Sequence, residues 1–230
     1  MIIAQYLAAA LIGYLVGSIP FGVLIGKRSA KIDIRQIGSG KTGTTNVLRA
    51  AGKQAAALVL VLDLLKGVLA VILTRLIFGG DYPMAGDPGL WSTARIAEVL
   101  AASAAISGHN WSIFLKFKGG RGVATFIGGL AALYWPAAVF GGVVLIIVAA
   151  VSRYMSLGSI TGAISAFIML IPLTIMNKSP IEYLIYTMIG AIFIFIRHYD
   201  NISRLVSGKE RRLGEKAEMK NTTSSTNSKN

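Results

Sequence analysis

Cysteine is absent from this chain, which excludes disulfides, thiol catalysis and cysteine-ligated metals. Histidine is nearly absent: only His109 and His198 occur, and no His/Asp/Glu cluster has metal-ligand spacing, so neither a metal nor any other cofactor is expected. Charge is also scarce, at 14% of residues against roughly 25% in soluble domains, while 54% are hydrophobic and the mean hydropathy is +0.64. Those values exclude a soluble domain and describe an integral membrane protein. Acidic residues are the scarcer sign, 10 against 23 Lys and Arg, for a net charge of +13. Such an excess could serve nucleic acid, but where it falls along the chain assigns it to anionic lipid and substrate, and no nucleic-acid partner is expected.

What the chain has instead is long apolar runs. Each bilayer crossing needs about 20 residues. The reading is an all-α membrane protein of about seven transmembrane helices, at residues 2–26, 54–78, 92–107, 123–134, 137–152, 155–176 and 181–196. The first run bends where Gly17-Ser18-Ile19-Pro20-Phe21-Gly22 interrupts it. It lacks a basic start and a small-residue cleavage site, so it reads as a retained span in preference to a signal peptide. The run 123–134 is short and stops at Tyr134-Trp135-Pro136; five spans are the alternative if the short segments are re-entrant. Residues 79–89, with Asp81, Pro83, Asp87 and Pro88, read as an acidic loop. The membrane domain is expected over 1–212, and 213–230 as a polar, basic, disordered tail.

Seven spans with the N-terminus outside and the C-terminus cytoplasmic put seven Lys/Arg of residues 27–53, three of 116–121, Arg153 and eight from Arg197 onward on the inner side, 19 of 23. That asymmetry is what the positive-inside rule requires. It also gathers three Gly- or Asn-containing basic segments on the cytoplasmic face.

The first is Gly38-Ser39-Gly40-Lys41-Thr42-Gly43-Thr44-Thr45-Asn46, followed by Arg49. Glycines free backbone N–H groups to point inward, hydroxyls and an amide add donors, and cations supply charge, so the stretch reads as a phosphate cradle. A nucleotide P-loop is excluded by spacing, because the glycine it needs five residues before Gly40 is Arg35. A basic loop lying on lipid headgroups is the plainer alternative. The second segment runs from Gly108-His109-Asn110-Trp111 to Phe117-Lys118-Gly119-Gly120-Arg121-Gly122-Val123-Ala124-Thr125, with His109 read as an interfacial anchor ahead of a catalyst. The third runs from Arg197 to Arg204, where i, i+3 spacing would set His198 and Asn201 on one face of a continuing helix. Convergence of Arg49, Lys118, Arg121 and Arg197 or Arg204 onto phosphates would explain the pattern. Asp63 and Lys66, also i, i+3 but inside a span, read as a structural ion pair ahead of a catalytic one.

Taken in order, the Gly17–Gly22 step, the Gly38–Arg49 loop, Gly108-His109 with Phe117–Thr125, and His198–Arg204 resemble the bacterial acyl-phosphate:glycerol-3-phosphate acyltransferase family (PlsY), over about residues 5–212. Lys41 stands where the family usually has Asn, Thr44 where it has Ala, and Arg121 where it has Lys. The resemblance implies a seven-span fold, a cytoplasm-facing site in the cell membrane, and acyl-phosphate and glycerol 3-phosphate as substrates. The phosphate-binding candidates are Gly38, Ser39, Gly40, Thr45, Asn46, Arg49, Lys118, Gly119, Gly120 and Arg121. His198, Asn201, Ser39 and Arg121 are the catalytic candidates; Ser18, Lys41, His109 and Arg204 are secondary.

The chemistry expected is direct attack of the glycerol 1-hydroxyl on the acyl carbonyl, with no acyl-enzyme, because Cys is absent and no Ser-His-Asp order is recognisable. The His-x4-Asp pattern of other acyltransferases is missing, since Phe114 follows His109 and Ser203 follows His198 at that spacing. A transporter of phosphorylated solutes is the rival from another class, opposed by the absence of an evident repeat and by cations at one face instead of the midplane. A lipid-binding scaffold without catalysis is the third reading.

Overall fold

The computed structural model describes residues 2–78 and 92–215. Among these residues the helices are α1 (Ile2–Ser18), α2 (Phe21–Ala30), α3 (Thr44–Phe78), α4 (Thr93–Asn110), α5 (Val123–Ser152), α6 (Met155–Ile175), α7 (Ile181–Arg197) and α8 (Tyr199–Val206), with 3-10 turns at Ile34–Gln36 and Ile113–Leu115. No strand occurs among the described residues. The acidic loop expected at 79–89 and the tail beyond Glu215 lie outside them.

The bend expected at residues 17–22 is present: α1 stops at Ser18 and α2 resumes at Phe21, with Pro20 between them unable to donate to a helical ladder. The polar connection expected over 27–53 needs correction. It carries helix at both ends, because α2 continues to Ala30 and a helical lead-in starts at Thr44; that lead-in breaks at Gly52, where φ is 83°, so the apolar span itself starts beside the expected residue 54.

Four stretches are long and apolar enough to cross a membrane alone, Ile2–Ala30, Thr44–Ile77, Val123–Ser152 and Met155–Ile175; α7 with α8, bent by 61°, makes a fifth. The neighbours of α5 show that it folds back on itself. Arg121, just before α5, has Glu210 among its charge neighbours, and Ser156, just after it, donates to Glu210 at 2.9 Å. A straight helix of 30 residues would hold its ends about 45 Å apart. The chain therefore turns back at Tyr134, which leaves helical geometry (φ −151°, ψ 88°) ahead of Pro136. At that turn Arg75 on α3 donates to the Ala132 carbonyl at 2.8 Å, satisfying an acceptor the break exposes. Counted with α4 and α7, the bundle fits a seven-helix arrangement. Arg95, Glu98 and His109 on α4 are all buried against neighbouring helices.

Helix contacts inside the bundle depend on small residues. A β-carbon on Gly13 or Gly17 would collide with the backbone of Ala101 or Ala105, so α1 and α4 run parallel and touching. Phe126, Leu130, Ile106 and Tyr186 fill the centre, with the Tyr186 hydroxyl donating to the Phe126 carbonyl at 2.9 Å. This scaffold brings residues 34–49, 109–122 and 197–213 to one end of the bundle.

Candidate active site

The loop entering α3 is shaped by one side chain. Asn46, buried, donates from Nδ2 to the carbonyls of Ile34 (2.7 Å), Lys41 (3.0 Å) and Ile37 (3.1 Å), and its Oδ1 accepts from the Ser39 N–H at 3.3 Å. Its amide is occupied in holding the loop, so it organises the cradle. Gly38 (φ 55°) and Gly40 (φ 69°) supply the left-handed turns that curl the loop around that amide. Asn46 and Val47 are the first N–H groups of α3 to reach back, both to Gly43, which leaves those of Thr44 and Thr45 at the positive end of the helix. Ser39, Thr45 and Arg49 are half-buried beside it, and Lys41 is half-buried on the same loop.

The second loop is pinned from two sides. The Gly120 N–H donates to the His109 carbonyl at 2.9 Å, and a β-carbon on Gly120 would strike the His109 ring, so only glycine fits. From the other side Arg197 donates to the Gly120 carbonyl through Nε (3.1 Å) and Nη2 (2.9 Å), while its guanidinium lies 5.4 Å from the centre of the Trp111 ring. Arg197, expected among the phosphate ligands, is committed to this loop. Lys118 is exposed and stands off the buried cluster. Arg121 is the cation that the loop presents inward: its Nε is enclosed without a hydrogen-bond partner, and burial draws its guanidinium down to about 10, still charged at neutral pH.

In the third segment the last span ends where expected and the helix bends at His198. α7 ends at Arg197 and α8 leaves at 61°, but the Asn201 N–H reaches the His198 carbonyl at 2.8 Å, so the pair stays together at the break. His198 is buried, and its Nδ1 lies 2.7 Å from the Ile194 carbonyl. A carbonyl only accepts, so Nδ1 carries the proton and Nε2 of the neutral ring is an acceptor. Asn201 donates to Glu210 at 2.6 Å, and its Oδ1 is enclosed without a partner. Arg204 also binds Glu210, at 2.8 Å, so this secondary phosphate candidate is already paired. Burial works to raise Glu210, but hydrogen bonds from Asn201, Ser156 and Arg204 outweigh it and hold its carboxyl below the usual range. Arg49, Arg121, Arg204 and Glu210 are charge neighbours, so all three segments do meet.

A family model for glycerol-3-phosphate acyltransferase matches residues 7–208. The chain belongs to the glycerol-3-phosphate acyltransferase family. Glycerol-3-phosphate acyltransferase 3 of Dehalococcoides mccartyi (strain CBDB1) is 52% identical over 217 residues, spanning 94% of this chain and 100% of that protein. The glycerol-3-phosphate acyltransferase of Trichormus variabilis is 42% identical, over 91% of this chain and 92% of that one. The glycerol 3-phosphate form of PlsY (YgiH), an integral membrane glycerol 3-phosphate acyltransferase, superposes with a TM-score of 0.77 at 35% identity, covering 91% of this chain and 96% of that one. Its lysophosphatidic acid form gives 0.75 at 34%.

Within this acyltransferase the sequence missed Glu210, which organises Asn201, Ser156 and Arg204 together. The available signal was an acid placed among Lys209, Arg211 and Arg212. Ser18 and His109 sit in a separate buried cluster. Ser112 Oγ donates to the Ser18 carbonyl at 2.6 Å, and Lys66 Nζ lies 3.0 Å from His109 Nδ1 and 2.8 Å from Asp63. The Asp63–Lys66 pair forms as its spacing indicated, and His109, read as an interfacial anchor, faces the Lys66 ammonium.

Proposed function

We propose that this protein transfers a fatty acyl group from acyl-phosphate to the 1-hydroxyl of glycerol 3-phosphate, giving lysophosphatidate and inorganic phosphate, the first acylation of bacterial phospholipid synthesis. Family membership supports the acceptor and the acyl-transfer class; the resemblance to PlsY supports the donor, and the site supports the route. The carrying observation is a set of unmatched groups at one place: two acceptors, His198 Nε2 and Asn201 Oδ1, beside one unpaired cation, Arg121. The acceptors suit a hydroxyl that must be oriented, and the cation suits a carbonyl oxygen or phosphate gaining charge. Ser39, Arg49 and the start of α3 are assigned to substrate phosphate.

The glycerol oxygen forms its bond to the acyl carbon, the bond from that carbon to the phosphate oxygen breaks, and phosphate departs. Burial and the neighbouring Arg121 both oppose a positive charge on His198. That favours a substrate phosphate as the proton acceptor, with His198 and Asn201 orienting the hydroxyl. The excess of inner-side Lys and Arg supports a multi-pass protein of the cytoplasmic membrane with its N-terminus outside and its site facing the cytoplasm. Residues 1–212 are assigned to the acyltransferase domain and 213–230 to a polar, basic tail.

Two experiments on detergent-purified protein test this. Incubation with acyl-phosphate alone should release no burst of phosphate, because attack waits for glycerol 3-phosphate; a stoichiometric burst would establish an acyl-enzyme. His198→Ala and Asn201→Ala should each lower kcat roughly 100-fold or more in folded protein, and near-normal turnover in both would remove them from the mechanism.

A further inference from the structure

Between the two glycine-rich loops, and outside the cluster just described, lies a buried charge that the chemistry does not consume. Lys66, 2% exposed, faces four acceptors: Asp63 Oδ1 at 2.8 Å, His109 Nδ1 at 3.0 Å, the Ile19 carbonyl at 3.1 Å and the Gly17 carbonyl at 3.2 Å. An ammonium only donates, so His109 accepts at Nδ1 and carries its own proton on Nε2, the atom nearest Gly120. The two carbonyls lie in the last turn of α1, at Gly17, and in the break before α2, at Ile19.

Apart from Asp63, these contacts lead to the loops of the candidate site. Through His109, whose carbonyl takes the Gly120 N–H at 2.9 Å and whose ring packs on Gly120, Lys66 fixes the backbone that aims Arg121. Through the α1–α2 break it fixes Gly22, where a β-carbon would strike the Thr42 carbonyl of the phosphate loop. Lys66, Asp63, His109, Thr42 and Ser112 all line one cavity of about 10 Å³. If ion pairing were the only purpose, Asp63 would suffice; the remaining donors are directed to the two elements that set loop positions.

We infer that Lys66 is a positioning residue: its ammonium, held by Asp63, sets the separation between the phosphate loop at 38–46 and the Arg121 loop at 117–122. The inference rests on the proposed acyl transfer for its kinetic consequence, and on the loops alone for its structural one. An error of about 1 Å in such a separation can cost on the order of 100-fold in rate.

The test uses full-length protein in detergent. Lys66→Met alone strands the Asp63 carboxylate, so the informative variant is Asp63→Asn with Lys66→Met, which removes both charges. Lys66→Arg is the second variant; it keeps the charge but cannot place one nitrogen against four acceptors. In both, kcat per folded molecule should fall roughly 30- to 100-fold, with Lys66→Arg the milder, and backbone amide exchange should accelerate in 38–46 and 117–122 together. A purely structural role would lower the melting temperature and leave kcat per folded molecule unchanged. If either variant folds with kcat within about threefold of the parent and with unchanged exchange in both loops, the inference is overturned. If the parent itself transfers no acyl group, the functional reading fails, and the amide exchange alone decides the positioning role.

Discussion

Replacing Arg197 by Met separates a loop clamp from a phosphate ligand, two roles that a cation at the edge of an anion site can play. In the structure both Arg197 donors meet one backbone carbonyl, Gly120, at 3.1 and 2.9 Å, and the guanidinium faces Trp111. A charge-assisted hydrogen bond contributes about 1.5–3 kcal/mol, and a cation over an indole about 0.5–1 kcal/mol. The variant should therefore lose roughly 2–4 kcal/mol, part of it through a carbonyl left without its partner. For a chain of this size that corresponds to a fall of about 4–16 °C in melting temperature, measurable by thermal unfolding in detergent. Because the clamp acts on the backbone beside Arg121, kcat should fall while KM for glycerol 3-phosphate rises by less than about threefold. Arg197→Lys, with a single nitrogen and no planar face for the indole, should recover less than half the stability. Unchanged melting with KM raised more than about tenfold would refute the reasoning and return Arg197 to the phosphate.

Arg121→Met should cost about 100- to 1,000-fold in kcat at near-native stability, whereas Arg121→Lys, which restores the family's usual cation, should regain most of it; parallel steady-state kinetics and melting curves decide. Asn46→Asp keeps the shape but loses the Nδ2 donors to three carbonyls, so we expect stability and glycerol 3-phosphate binding to fall together, with rapid amide exchange confined to residues 34–46. Glu210 is held below its unfolded value, so its contribution to stability is complete above that value and disappears as pH falls through the folded one. Melting temperatures of wild type and Glu210→Gln should accordingly differ at pH 7 and converge on acidification; a gap that widens in acid would contradict the assignment.

Much of the architecture was readable because membrane helices state themselves locally. The Gly17–Gly22 bend and the Tyr134-Trp135-Pro136 turn are written in residues that break ladders, and both are where the chain turns. The start of α3 was not readable, since Thr44 to Lys53 is too polar to look like part of a span, although its N-terminal turns pack in the phosphate loop. Within the site, sequence identified the cations but not which of them were already engaged. Arg197 is bound to a carbonyl 77 positions away, and Arg204 to an acid six positions on. Asn46 looks like a donor to phosphate until its three backbone acceptors are seen. His109 and Lys66, 43 positions apart, meet only because α1, α3 and α4 pack on small residues. Local pattern gives residue chemistry, and tertiary contact decides which of it is left for a substrate.

The most direct test of the account is a donor comparison in detergent, where transport is impossible: labelled glycerol 3-phosphate supplied with acyl-phosphate in one reaction and acyl-CoA in the other. Lysophosphatidate formed with acyl-phosphate, together with one inorganic phosphate for each product molecule, is the predicted result. Product formed only from acyl-CoA would contradict the donor assignment, and no product from either donor with a folded, active-site-intact protein would contradict the enzyme reading itself.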